Sequence, residues 1–175
     1  MFKEERTDSK FEWSMIGDIA DGRPNLGSNM DVATYRLMQF TLRDVMIGRF
    51  GVKEADRVLY EAGELAGREF CKALVSPTED LNAFLKQVQD LLSDLKIGIL
   101  RVEKIDLAEN QFTVTVAEDL DCSGLINCEE TICTYDEGFL GGLLSQYTGG
   151  KFTATEVDCW CTGSRVCRFE IKPAA

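Results

Sequence analysis

Six of the seven cysteines in this 175-residue chain fall within one stretch, at Cys122, Cys128, Cys133, Cys159, Cys161 and Cys167. The last three lie in the run Glu156-Val-Asp-Cys-Trp-Cys-Thr-Gly-Ser-Arg-Val-Cys167, where a tight turn carrying Gly163 separates the thiols. Cysteines on either side of such a turn bring thiolates from adjacent strands together, and Cys133, earlier in the chain, can close a tetrahedral shell. The chemistry implied is metal ligation, with zinc as the expected ion. An iron–sulfur cluster also needs four thiolates, which Cys122, Cys128 and Cys133 with one later cysteine can supply, but their spacing matches no ferredoxin-type run. The chain has no histidine. That removes the usual general base and any nucleophilic triad built on imidazole, so a structural zinc is expected rather than a catalytic one.

Other residues have plainer readings. Cys71, among apolar neighbours on a helix, reads as a buried inert thiol. Cys122 and Cys128 read as loop residues without a metal role, the alternative being a redox pair. Trp160, between two cysteines, reads as a strand residue alternating away from them toward the core or a pocket wall. Asp136 and Glu137, in the first turn of a helix, read as a solvated face favoured by the helix dipole. Gly138, Gly141 and Gly142 lack the strand-then-helix context of a phosphate loop, so nucleotide binding has no support.

These residues must be positioned by a chain that is helical first and strand-rich later. Residues 1–27 form a polar lead-in in which Phe11, Trp13, Met15 and Ile16 can dock as a short strand. A helix capped by Ser28 or Asn29 follows over 28–47, with Tyr35, Met38, Leu42, Val45 and Met46 at three- and four-residue steps until Gly48 and Gly51. A second helix spans 52–74, and its Ala62, Gly63, Ala66 and Gly67 let another backbone come close. Ser76-Pro-Thr-Glu79 reads as a capping box opening a third helix. From Ile97 the apolar period becomes two, predicting a hairpin of 97–105 with 111–117. A fourth helix near 133–147 carries Phe139, Leu140, Leu143, Leu144 and Tyr147, and a last hairpin pairs 151–161 with 165–171. The fold class is α/β of the α+β kind, with helices packed on a mostly antiparallel sheet of about four strands, and residues 28–175 form one domain.

The segments Glu118-Asp-Leu-Asp-Cys-Ser-Gly-Leu125, Cys133-Thr-Tyr-Asp-Glu-Gly-Phe-Leu-Gly-Gly-Leu143 and Glu156 through Phe169 resemble the 4-vinyl reductase domain family, over about residues 30–171. The family includes aromatic-sensing input domains of bacterial transcription activators and is similar in fold to small subunits of the TRAPP vesicle-tethering complex, which dimerise through helices. The resemblance implies a zinc ion held by Cys133, Glu156, Cys159 and Cys167. The chain departs from the family at Cys161, an alternate ligand to Glu156.

Nineteen Lys and Arg against thirty Asp and Glu give a net charge of -11. With no basic stripe interleaved with aromatics, direct nucleic-acid binding is excluded. No apolar run reaches the roughly 18 to 20 residues of a membrane span, and the N-terminus lacks the apolar core of a secretion signal. The odd cysteine number fits reduced thiols in the cytoplasm better than a secreted disulfide scaffold. The expected function is a cytoplasmic small-molecule sensor, with no output domain attached, that binds an apolar or aromatic ligand beside zinc. Phe139, Leu143, Trp160 and Phe169, with Tyr135 and Tyr147, are the candidate pocket residues. A homodimer through helix 28–47 and a separate protein partner follow from that reading. The alternatives are an enzyme or accessory of tetrapyrrole or corrinoid metabolism, and a TRAPP-like interaction scaffold.

Overall fold

A computed structural model describes residues 5–125 and 129–174. Cys128 lies outside the described residues. In chain order the elements are α1 (Ile19–Gly22), α2 (Val32–Phe50), α3 (Val52–Leu74), α4 (Leu81–Asp94), β1 (Ile99–Asp106), β2 (Gln111–Ala117), α5 (Thr134–Thr148), β3 (Phe152–Asp158) and β4 (Cys167–Pro173). The four strands form one antiparallel sheet in the order β1-β2-β4-β3. Helices on a mostly antiparallel sheet of four strands are the architecture that the change of apolar period implies.

The helix starts follow local chemistry. The Asp31 side chain accepts from the Ala33 N–H and caps α2, so this helix begins a few residues later than Ser28 or Asn29 would set it. Asp80 accepts from the Asn82 and Ala83 N–H groups and caps α4, which places Ser76–Glu79 before the helix rather than in its first turn. The lead-in is no strand: Trp13–Ile16 form a single 3-10 turn. The Trp13 N–H donates to the Glu69 carboxylate at 3.2 Å, and its ring meets Phe70 edge-on at 6.2 Å, which fastens the lead-in to α3.

The core sits between α5 and the sheet. Leu140, Leu143 and Leu144 of α5 meet Phe112, Phe152, Ala154, Phe169 and Ile171, all buried. On the other side α5 crosses α3 at glycine contacts. A Cβ on Gly63 would stand 2.0 Å from the Tyr135 carbonyl oxygen, and one on Gly138 would stand 2.0 Å from that of Tyr60. Only hydrogen fits at these crossings, so two backbones touch where side chains would hold them apart. In this way α5 is clamped between α3 and the sheet, and its N-terminus, beginning at Cys133, is held in place.

The last hairpin is shorter than its apolar pattern. β3 ends at Asp158, because Cys159 and Thr162 cap one another: the Cys159 side chain accepts from the Thr162 N–H while Thr162 Oγ1 accepts from the Cys159 N–H. This starts a 3-10 turn over Trp160–Thr162, and Gly163 closes it in the left-handed region at φ 96°. Trp160 is therefore a turn residue, not a strand residue. Among the described residues no helix is long and apolar enough to cross a membrane.

Candidate functional site

Four thiols converge below the N-terminus of α5. The Sγ atoms of Cys122, Cys133, Cys159 and Cys167 all lie within 4.8 Å of one another, and all four residues are buried. Cys133 stands 3.9 Å from Cys159 and 3.8 Å from Cys167, while Cys122 and Cys167 approach to 3.1 Å. Each comes from a different piece of chain. Cys133 precedes α5, Cys159 opens the 3-10 turn, and Cys167 is the first residue of β4.

Cys122 belongs to the loop after β2, and long-range bonds aim it inward. Asp119 Oδ1 accepts from the Asp121 and Cys122 N–H groups at 2.8 and 3.1 Å, forming the turn. Arg36 of α2 then donates to the carbonyls of Leu120 at 2.8 Å and Ser123 at 2.9 Å. These bonds span more than eighty positions of sequence. A short-range pattern around Cys122 contains none of them.

Of the residues assigned to the site by resemblance, the structure brings Cys133, Cys159 and Cys167 together. Glu156 stands beside the set and is buried. Its Oε2 accepts from the Cys133 N–H at 3.1 Å, and its Oε1 has no hydrogen-bond partner. Burial, with the Cys159 thiolate beside it, raises this carboxyl to about 8. Cys161 is buried as well, with its Sγ outside the converging four. Hydrogen bonds from Cys122, Cys133 and Cys167 drive the Cys159 thiol far below its usual range. Cys133 is pushed far above it by Cys122, Cys159 and Cys167, and Cys167 chiefly by Cys122.

The donor set fits a tetrahedral zinc ion. Zinc–sulfur bonds of about 2.3 Å require sulfur–sulfur edges near 3.8 Å, which two of the observed separations match. The third, at 3.1 Å, would open by about 0.7 Å.

Adjacent to the thiols lies a cavity of about 500 Å³. Phe11, Trp13 and Ile16 of the lead-in form one wall, Ala62, Leu65, Ala66 and Phe70 of α3 another, and Tyr135, Asp136 and Phe139 of α5 the floor. Leu120 and Asp121, from the Cys122 loop, complete it. Tyr35 donates to Asp121 at 2.9 Å, and Gln39 donates to the second oxygen at 2.7 Å. Asp136 is thus no solvated surface residue: burial, then the charges of Asp121 and Asp119, hold its carboxyl well above the usual range. Burial and the Asp121 charge raise Asp119 to about 6, and its carboxyl is hydrogen-bonded to that of Asp136. Glu137, its neighbour, accepts from the Glu156 N–H at 2.7 Å.

Of the candidate pocket residues, Tyr135 and Phe139 line this cavity. Leu143 and Phe169 lie in the core. Tyr147 stacks on Phe84 at 3.8 Å, and Trp160 donates its ring N–H to the Leu125 carbonyl at 3.1 Å. The lead-in residues and the small residues of α3 carry no sequence signal for a ligand site. What could have been read was the apolar character of Phe11, Trp13 and Ile16 in an otherwise polar stretch.

A helix-backed sheet with cysteines gathered from three connections is the class of the 4-vinyl reductase domain, and residues 112–173 match that domain. The chain is 29% identical over 128 residues to uncharacterized protein MJ0150 of Methanocaldococcus jannaschii, covering 71% of this chain and 70% of that protein. It is 26% identical over 147 residues to uncharacterized protein MJ1642 of the same organism, covering 84% and 80%. Among solved structures it resembles a vinyl-4-reductase family protein from M. jannaschii at a TM-score of 0.61, with 18% identity, 97% of this chain and 100% of that one covered. The phenol-responsive sensory domain of the transcription activator PoxR, solved with phenol, gives 0.63 at 14% identity, covering 82% and 75%. A trafficking protein particle complex subunit 3 from Naegleria fowleri, covalently bound to palmitic acid, gives 0.65 at 9% identity, covering 82% and 95%. At such identities these likenesses establish the fold.

Proposed function

We propose that this chain is a cytoplasmic sensor-type domain that binds an apolar or aromatic small molecule, works as a homodimer through helix 28–47, and passes its state to a separate protein. The observation that carries this reading is the cavity of about 500 Å³, mostly apolar, with the polar groups of Tyr35, Asp121 and Asp136 at one end. That size and composition are those of a small-molecule pocket. The PoxR domain, solved with phenol, shares the fold and supports the reading by analogy. Zinc held by Cys133, Cys159, Cys167 and a fourth donor serves as a structural pin between α5 and the last hairpin.

The test is a thermal-shift screen of phenols, terpenoids, fatty acids and tetrapyrrole fragments on the wild-type chain and on Ala66→Phe, which fills the cavity from α3. At a hundredfold excess over its dissociation constant a ligand stabilises the folded state by about 2.7 kcal/mol. At least one class should raise the unfolding temperature of wild type and leave Ala66→Phe unmoved. If none does, and the chain turns over a vinyl-bearing tetrapyrrole with a supplied electron donor, the sensor reading gives way to an enzyme.

A further inference from the structure

We propose that the fourth donor of the metal shell is Cys122, so that the site is all-thiolate and Glu156 acts from outside it. This rests on the reading that the site holds zinc. Glu156 competes for the position, since its Oε1 is buried without a hydrogen-bond partner. Two observations decide against it. The Cys122 Sγ lies within 4.8 Å of each of the other three sulfurs, and the carboxylate stands outside that set. Further, Oε2 of Glu156 is already bonded to the Cys133 N–H, a placement that orients a ligand-bearing backbone rather than ligating.

The loop around Cys122 is built for the role. Its turn is set by Asp119 and its carbonyls are gathered by Arg36, so the Sγ is delivered to the cluster without relying on its own rotamer preferences. Four thiolates on one zinc ion carry a net charge of about -2, which N–H donors must offset. One is in place, since the Cys159 side chain accepts from the Thr162 N–H. A second faces the same sulfur from Ile132.

The assignment changes what the metal holds. With Glu156 as donor the shell would join α5 to the last hairpin only. With Cys122 it also joins the loop that carries Leu120 and Asp121, two walls of the cavity, while Cys133 leads into Tyr135, Asp136 and Phe139. Metal and cavity then share two segments of backbone, and removing the metal should loosen both.

Zinc X-ray absorption on the full chain, purified under reducing conditions, reads the shell directly. Four sulfurs at about 2.3 Å are expected, against three sulfurs and one oxygen at about 2.0–2.2 Å for the Glu156 shell. Glu156→Gln should keep four sulfurs and weaken zinc by about ten- to a hundredfold in competition with a chelator. Cys122→Ser should lower the sulfur count to three. A wild-type spectrum with three sulfurs and one oxygen overturns the Cys122 assignment and leaves the zinc reading standing. Reduced wild type that takes up no zinc overturns both. A native mass two hydrogens light, mapped to a Cys122–Cys167 bond in reduced protein, overturns the assignment as well.

Discussion

Asp119 holds the Cys122 turn with one carboxyl oxygen and shares a hydrogen bond with Asp136, at 3% exposure. Burial and the Asp121 charge raise its pKa from 3.8 to about 6, so the folded chain favours the neutral acid. The sign follows. Asp119 contributes most below about 3.8, its unfolded value, and its contribution is lost as pH rises through about 6, a change on the order of 3 kcal/mol. Urea denaturation at pH 5 and at pH 7.5 should therefore show wild type losing more stability across the interval than Asp119→Asn, whose amide cannot ionise and can still accept from the turn. Equal losses in the two proteins would remove the assigned cause.

The α3–α5 crossing is decided by four glycines, and substitution there should behave oppositely to substitution elsewhere. At Gly67 a Cβ would lie 2.0 Å from the Phe139 carbonyl oxygen, and at Gly142 it would lie 2.1 Å from that of Glu64. Both obstacles are backbone, so relief requires the helices to part. Gly67→Ala should destabilise by about 3 kcal/mol or more, exceeding the helix-propensity gain of alanine. Gly48 on α2 has nothing within 4 Å of the place a Cβ would take, and Gly48→Ala should stabilise by about 0.5–1 kcal/mol. Thermal melts of the two variants check the pair. Destabilisation by both, or by neither, would show that the crossing is not as close as its geometry states.

At the scale of the molecule, α2 presents two faces. Tyr35, Arg36 and Gln39 bind the Cys122 loop and Met46 is buried, while Met38, Leu42 and Val45 are 62%, 53% and 52% exposed. Three large apolar side chains in one stripe on a chain of net charge -11 are the residues through which the proposed dimer would form. A two-fold contact repeats each of them, so Leu42→Glu places two charges in one interface. Sedimentation should show a dimer at tens of micromolar for wild type and a monomer for Leu42→Glu. A wild-type monomer, or a dimer that ignores the charge, would remove α2 from the interface.

What the chain determines by itself are the features with short physical range. The 3.6-residue period over α3 and α5, the change to period two at Ile97 and the turn glycine at Gly163 place nearly every element within a few residues. The spacing about that glycine likewise singles out Cys133, Cys159 and Cys167 as thiols that meet. Small residues on α3 announce a close helix approach without naming the partner. Only the tertiary structure decides what depends on distant pieces of chain. Cys122 reads as a loop residue because the Arg36 and Asp119 bonds that aim it are invisible to local spacing. Asp136 reads as solvated because helix position predicts exposure only until another element covers it, as the cavity walls do here. The cavity itself is formed by a lead-in that docks on α3 through Glu69 and Phe70, more than fifty positions away. Local preference sets conformation residue by residue, whereas enclosure arises from what long loops bring together.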